Sequence, residues 1–198
     1  LSLSDKISDA VIAEPKAEFK IARKPDQIKI FTDQIKLIIP DGHFRFEIYD
    51  RAEKLLTRDF PGLGPGFGPD DFVINRYIFP DEEFFGLGDK YGTLKRRGKI
   101  WRFWNTDVGS RHFERDPRYT SIPFLISIRP GAISGWFVDH PGFLEMDIGK
   151  KFSGLLSING VGDSLDCYFL YASSLKELLS LYTDLTGRPS LPPLWSIG

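Results

Sequence analysis

The chain reads as an all-β protein, an antiparallel β-sandwich followed by a single α-helix near its carboxyl end. Three observations predict this. Apolar residues recur with period two over most of residues 17–173, the apolar runs are short and bounded by Gly, Pro, Asn or Asp, and only the segment from Ser174 carries a helical stripe. A chain of 198 residues can bury one sizeable core and is too short for two large domains. Its 17 Phe and 4 Trp suit a β-rich core or a ligand-facing surface.

Residues 1–16 lack periodicity and include Pro15, so they form an irregular start. Phe19 and Ile21 then alternate with Lys20, Ile28 and Ile30 with Lys29, and Ile35, Leu37 and Ile39 with Lys36. Phe44, Phe46 and Ile48 alternate with Arg45 and Glu47, the pattern of a half-buried strand. Asp41-Gly42 between two such runs predicts a hairpin, because glycine supplies the positive φ of a tight turn. Pro61 to Pro69, PGLGPGFGP, is read as an irregular surface loop: a phosphate cradle needs a following helix, which Pro65 and Pro69 deny. Strand resumes over Asp71–Phe79. Further strands are predicted at Phe124–Ile128, Ile133–Val138, Phe143–Ile148, Leu155–Ile158 and Leu165–Tyr171, with Asn159-Gly160 as another turn. Ser174 with Glu177 makes a capping box, Leu175, Leu178, Leu179, Tyr182 and Leu185 form one apolar stripe, and Gly187 and Pro189 supply the stop. That stripe must lie on the sandwich or on whatever follows. Leu191 to Gly198 is apolar and proline-rich without a polar tail, which predicts a chain that continues and an exposed surface through which copies associate.

Bulk properties exclude several classes. A net charge of −1 gives no global field toward nucleic acid or anionic lipid. No segment approaches membrane-spanning length, and Leu1-Ser2-Leu3-Ser4-Asp5-Lys6 has no basic head before an apolar run. None of Asn75, Asn105 and Asn159 begins a glycosylation sequon. Cys167 is the one cysteine, alternates with Leu165, Phe169 and Tyr171, and reads as core filler. A reducing cytoplasm is the default expectation.

The chemistry concentrates between Phe84 and Asp107, FFGLGDKYGTLKRRGKIWRFWNTD. Six basic residues (Lys90, Lys95, Arg96, Arg97, Lys99, Arg102) and two tryptophans lie between glycine turns, and the stretch runs out into Asn105, Thr106 and Asp107 as a loop tip. Aromatic faces lie against the C–H side of a pyranose while a carboxylate accepts neighbouring hydroxyls, so this mix suits a sugar. Asp107 is the leading ligand contact, with Trp104 and Thr106 beside it. The Trp101/Phe103 and Arg102/Trp104 alternation puts an aromatic on each face of a strand, one of them in the core. The basic run is expected on the solvent face of a hairpin, paired with carboxylates such as Asp81, Glu82 and Glu83, rather than on phosphate.

Glycoside hydrolysis needs two carboxylates facing each other across the bond. Asp107, Glu114, Asp116, Asp139, Glu145, Asp147, Asp163 and Asp166 are candidates by residue type, but none has a local context that picks out an acid and a nucleophile. His43, His112 and His140 are each alone in their segments, so no zinc site and no cofactor are expected. His140 beside Asp139 is the one local hint of a mutarotase-type acid–base pair, and its place before Pro141 favours a solvated turn. No Gly-x-Ser-x-Gly elbow supports a serine hydrolase.

The same blocks carry a resemblance. Phe85-Gly86-Leu87-Gly88-Asp89-Lys90, Arg96-Arg97-Gly98, Phe103-Trp104-Asn105-Thr106-Asp107, Asp116-Pro117, Tyr119 and Ser121-Ile122-Pro123-Phe124 resemble the amino-terminal, galactose-mutarotase-like domain of glycoside hydrolase family 31 α-glucosidases. Leu185-Thr186-Gly187-Arg188-Pro189 and Pro192-Pro193-Leu194-Trp195 continue the match, which spans about Gln27 to Gly198. The wording is closer to α-glucosidases than to α-xylosidases, and Asp89 stands where the family more often has Glu. The resemblance implies a sandwich over 17–173, then a linking helix and the first strand of a (β/α)8 barrel over 174–198. It places both catalytic aspartates beyond Gly198, so no residue here takes either role. It gives Asp107, Trp104 and Thr106 to the binding of an α-glucoside oligosaccharide, with the barrel as partner. A free-standing carbohydrate-binding or scaffold sandwich is the alternative.

Overall fold

The computed structural model describes residues 9–13, 17–42, 45–109, 114–162 and 164–196. The chain opens with a meander, β1 (Lys20–Lys24), β2 (Gln27–Phe31), β3 (Ile35–Pro40), β4 (Glu47–Asp50) and β5 (Leu55–Arg58), which pair antiparallel in that order. β6 (Gly66–Phe67), β7 (Asp71–Tyr77), β8 (Glu83–Gly86) and β9 (Lys99–Phe103) follow. Then come β10 (Phe124–Arg129), β11 (Ala132–Asp139), β12 (Leu144–Ile148), β13 (Leu155–Val161), β14 (Asp166–Ala172) and helix α1 (Leu175–Thr186). Beyond the meander, one sheet has the order β6-β7-β13-β12-β9 and the other β14-β11-β10-β8.

The two later sheets close on each other through the alternate residues the period-two pattern puts on one face. Phe72, Ile74, Trp101, Phe103, Leu144, Met146 and Ile158 from one sheet meet Leu125, Trp136 and Val138 from the other, and Ile48 and Leu56 of the meander join the same core. The β14-β11-β10-β8 sheet is covered on its second face as well. There Phe124, Ile126 and Phe137 lie under α1, with the Tyr182 ring stacked on Phe124 at 4.1 Å. The helical stripe therefore divides. Leu178 and Leu185 are buried on the sheet, whereas Leu175 and Leu179 stay exposed.

Several expectations are corrected. Gly66–Phe67, inside the run read as irregular, forms a short edge strand against β7. Asn159-Gly160 is no turn; both residues lie within β13, where Gly160 faces Phe72 and a Cβ would fall 2.1 Å from the ring. Glu177 receives bonds from the amide and hydroxyl of Ser173, so the reciprocal half of the capping box reaches one residue further back than Ser174. His43, Phe44, His112, Asp163 and Pro15 lie outside the described residues.

Candidate functional site

Half of the basic run from Lys90 to Arg102 is drawn into the fold: Lys90 and Arg96 are buried and Arg97 is half-buried, whereas Lys95, Lys99 and Arg102 stay on the solvent face as expected. Gly86 (φ +90) turns the chain off β8 at a point where a Cβ would lie 2.5 Å from the Phe124 carbonyl oxygen. Lys90 is buried: its Nζ donates to Asp116 Oδ1 at 2.6 Å and to the Arg102 carbonyl, and it lies 4.4 Å from the Phe103 ring centre. Burial holds its ammonium below the usual lysine range, against the pull of Asp116. Arg96 is also buried and donates to the Gly86 and Thr93 carbonyls, while Trp101 Nε1 donates to the Arg96 carbonyl at 2.9 Å. Arg97 Nη1 donates to the carbonyl of Glu82 at 2.8 Å. Lys95, with Glu83 at 2.9 Å, and Arg102, with Glu145 at 3.0 Å, match the expected surface pairing. Glu82 is buried, accepts from Ser127 Oγ and the Phe79 amide, and has its carboxyl raised by that burial. These cations are consumed by carbonyls and carboxylates inside the fold, which leaves Lys90, Arg96 and Arg97 no role on a phosphate.

The buried part of this run carries the Trp104 loop. Trp101 and Phe103 both point into the core, and Trp104, just past the end of β9, is 57% exposed. Asp116 receives the Arg102 amide as well as Lys90, so it ties the loop's outgoing and returning limbs together. The Thr106 amide donates to the Arg118 carbonyl at 3.0 Å, Thr106 Oγ1 to the Trp104 carbonyl at 2.7 Å, and the Tyr119 hydroxyl to the Val108 carbonyl. Thr106 and Asp107 stand exposed on this pinned loop, with Val108 buried beneath.

A cavity of about 340 Å³ opens beside the loop, lined by Trp104, Asn105, Ser121, Pro123, His140 and Gly142 among others. Asp107 and Thr106 are not part of its wall. Ser121 opens the Ser121-Ile122-Pro123-Phe124 block. Its Oγ is enclosed with no hydrogen-bond partner among the described residues, so it is the one hydroxyl of this wall with unspent bonding capacity. His140 Nε2 lies 2.8 Å from the Val161 carbonyl, which can only accept, so that nitrogen carries a proton; the ring also meets Phe72 edge-on at 5.1 Å.

Three of the other carboxylates have partners, whereas Asp139 Oδ2 is enclosed with no hydrogen-bond partner among the described residues. Glu145 pairs with Arg102 at 3.0 Å, Asp147 accepts from the Lys150 amide, and Glu114 receives the Tyr91 hydroxyl at 3.4 Å. Asp139 and Asp166 are cross-strand partners at the end of the β11–β14 ladder, on the face that carries Phe137 and Tyr168, and Asp166 is exposed. They are neighbours along one sheet face rather than opposed across an enclosed cleft. Among the described residues no three or more His, Cys, Asp or Glu come together in a way that could hold a metal. Burial pushes the Cys167 thiol up to about 12, which makes it inert core filler.

Comparison with known proteins agrees with this fold. Residues 3–147 match the family model of the glycosyl hydrolase 31 N-terminal galactose mutarotase-like domain. The whole chain is 30% identical to alpha-glucosidase 2 of Bacillus thermoamyloliquefaciens and spans 25% of that protein. Over 118 residues it is 35% identical to the alpha-xylosidase XylQ of Lactiplantibacillus pentosus, covering 60% of this chain and 15% of that one. A family 31 dextranase of Flavobacterium johnsoniae, solved with isomaltotriose, superposes with a TM-score of 0.84 at 30% identity over 98% of this chain and 24% of its own. The chain thus covers between 15% and 25% of the length of these longer relatives, and it belongs to glycoside hydrolase family 31 as the amino-terminal, galactose-mutarotase-like domain.

Proposed function

We propose that this chain is the amino-terminal sandwich of a retaining, exo-acting α-glucosidase, which braces a catalytic barrel and lends Asp107, with Trp104 and Thr106, to binding of the terminal sugar. The bond-breaking carboxylates belong to the barrel. The observation that carries this reading is the Trp104–Asp107 loop itself. An exposed indole, a hydroxyl and a carboxylate sit on a loop fixed by the Thr106 amide donating to the Arg118 carbonyl, the Tyr119 hydroxyl donating to the Val108 carbonyl and the Arg102 amide donating to Asp116, next to a cavity of about 340 Å³. A preformed, outward loop loses little freedom when it meets a ligand. The exposed Leu175, Leu179, Leu194 and Trp195 supply apolar surface for the barrel to cover. The glucoside preference follows the α-glucosidase and dextranase relatives, and the α-xylosidase match sets the competing sugar.

The test is Asp107→Ala in the full-length enzyme, assayed on maltose-type substrates. The expected result is a raised KM, or a joint loss in kcat and kcat/KM, with an unchanged melting profile because Asp107 is exposed. Unaltered kinetics on maltose remove Asp107 from the substrate site. A free-standing binding module predicts instead that the 198-residue chain alone holds maltose as tightly as any longer form.

A further inference from the structure

A second cavity, about 490 Å³, lies on the outer face of the β6-β7-β13-β12-β9 sheet. Its wall includes Gly66, Gly68, Asp71, Phe143, Asn159 and Val161. The pairing explains how it forms. Asp71 lies opposite Val161, and Val73 lies between Gly66 and Asn159, so Asp71 and Asn159 come from adjacent strands, offset by two residues, on one face. The Val161 amide donates to the Phe143 carbonyl, which brings the half-buried Phe143 ring into the same row. The glycines of the PGLGPGFGP run open the rim. A Cβ on Gly68 would fall 2.1 Å from Asp71 Oδ1, and one on Gly66 3.1 Å from Val73. The run that cannot cradle a phosphate therefore has a use: it keeps side chains out of this concavity and leaves room for the Asp71 carboxylate.

We propose that this concavity is an accessory site for a neutral α-glucan, separate from the Trp104 loop. Among the described residues the wall holds one exposed carboxylate, one side-chain amide, the phenylalanines Phe72 and Phe143 and bare glycine backbone, and no cation. A carboxylate without a neighbouring cation repels phosphates and acidic sugars, whereas it accepts paired hydroxyls well. The volume falls within the range of small-ligand cavities. The site also adjoins the first one. The turn between β11 and β12 separates the two cavities: Gly142 lines one and Phe143 the other, and His140, in the wall of the first, bonds the carbonyl of Val161 in the wall of the second. The choice of a glucan as occupant rests on the reading of the Trp104 loop given above; the placement of the cavity does not.

The experiment is amide chemical-shift mapping of this 22.6 kDa chain titrated with isomaltotriose. The expected result is perturbation of Gly66, Gly68, Asp71 and Asn159, with the fitted Kd raised about tenfold by Asn159→Ala and by Gly68→Ala, each losing one contact of roughly 1.4 kcal/mol. Gly68→Ala acts by displacing Asp71 and leaves the rest of the wall untouched, and both variants are judged only where the remaining spectrum is preserved. Trp104→Ala is expected to leave this second set of shifts in place. Shifts confined to Asn105 and Thr106 overturn the accessory site while the loop reading stands. Shifts confined to the Gly66–Asn159 set support the accessory site and count against the loop as an independent sugar contact. An unperturbed spectrum at saturating sugar, or shifts that survive both variants, overturns the proposal.

Discussion

Replacing Lys90 by methionine removes one buried ammonium and keeps most of the volume of its stem. The Lys90 side chain has no solvent exposure, and its Nζ satisfies both Asp116 Oδ1, at 2.6 Å, and the Arg102 carbonyl. In the variant, Asp116 keeps, among the described residues, the Arg102 amide and the attraction of Arg96, and the Arg102 carbonyl loses a donor. Removing one partner of a buried pair costs about 3–5 kcal/mol. The Asp116 side chain is 18% exposed, so water recovers part of that, and we expect a loss of about 3 kcal/mol. For a chain of 198 residues this is a drop of roughly 6–12 °C in Tm. Urea denaturation followed by tryptophan fluorescence reads the first number, and calorimetry the second. Pairing the change with Asp116→Asn, which removes the stranded charge, should recover about 2 kcal/mol relative to additivity. The loop should loosen too, seen as faster exchange of the Thr106 amide that bonds Arg118. A loss below about 1 kcal/mol, or strict additivity with Asp116→Asn, refutes the claim that this pair pins the Trp104 loop.

Two further outcomes follow from buried groups. Burial raises the Glu82 carboxyl above its ordinary 4.5, so the folded chain holds that proton to higher pH than the unfolded one. Its contribution to stability is full below 4.5 and is lost as pH rises through the folded value, so Glu82→Gln should gain on the parent across that window; a pH-independent difference in denaturation midpoint between pH 4 and pH 7 contradicts this. Gly160→Ala drives a methyl to 2.1 Å from the enclosed Phe72 ring and should cost about 3 kcal/mol, partly restored by Phe72→Leu; equal stability of Gly160→Ala and the parent shows that the ring yields freely.

The fold was legible wherever burial is one-sided or the apolar pattern is unbroken. The runs at Ile35–Ile39, Phe124–Ile128 and Leu165–Tyr171 all lie on strands or strand edges, and the stripe of α1 is met by Phe124 and Phe137. Gly160 was misread because the turn signal of Asn-Gly is local, while the reason for the glycine is the Phe72 ring on a neighbouring strand. In the basic run Lys95, Lys99 and Arg102 are exposed as the pattern predicts, while Lys90, Arg96 and Arg97 depart from it for the same kind of reason. Lys90 has its partner 26 residues away in Asp116, and Arg96 and Arg97 spend their donors on backbone carbonyls that no side-chain pattern announces. Trp104 could be seen as one of two candidates for exposure, but the choice depended on Trp101 and Phe103 sharing the core-facing side of β9. Ser121 gave no signal of its own, since an unspent hydroxyl is visible only once the cavity exists.

The central claim, that bond cleavage lies outside these strands, is met most directly by incubating the purified 198-residue chain with an aryl α-glucoside and following release of the phenol. The account predicts release no faster than in buffer. Saturable turnover that co-purifies with the chain and is abolished by Asp139→Asn or Asp166→Asn, the two carboxylates paired across the β11–β14 ladder, would contradict it.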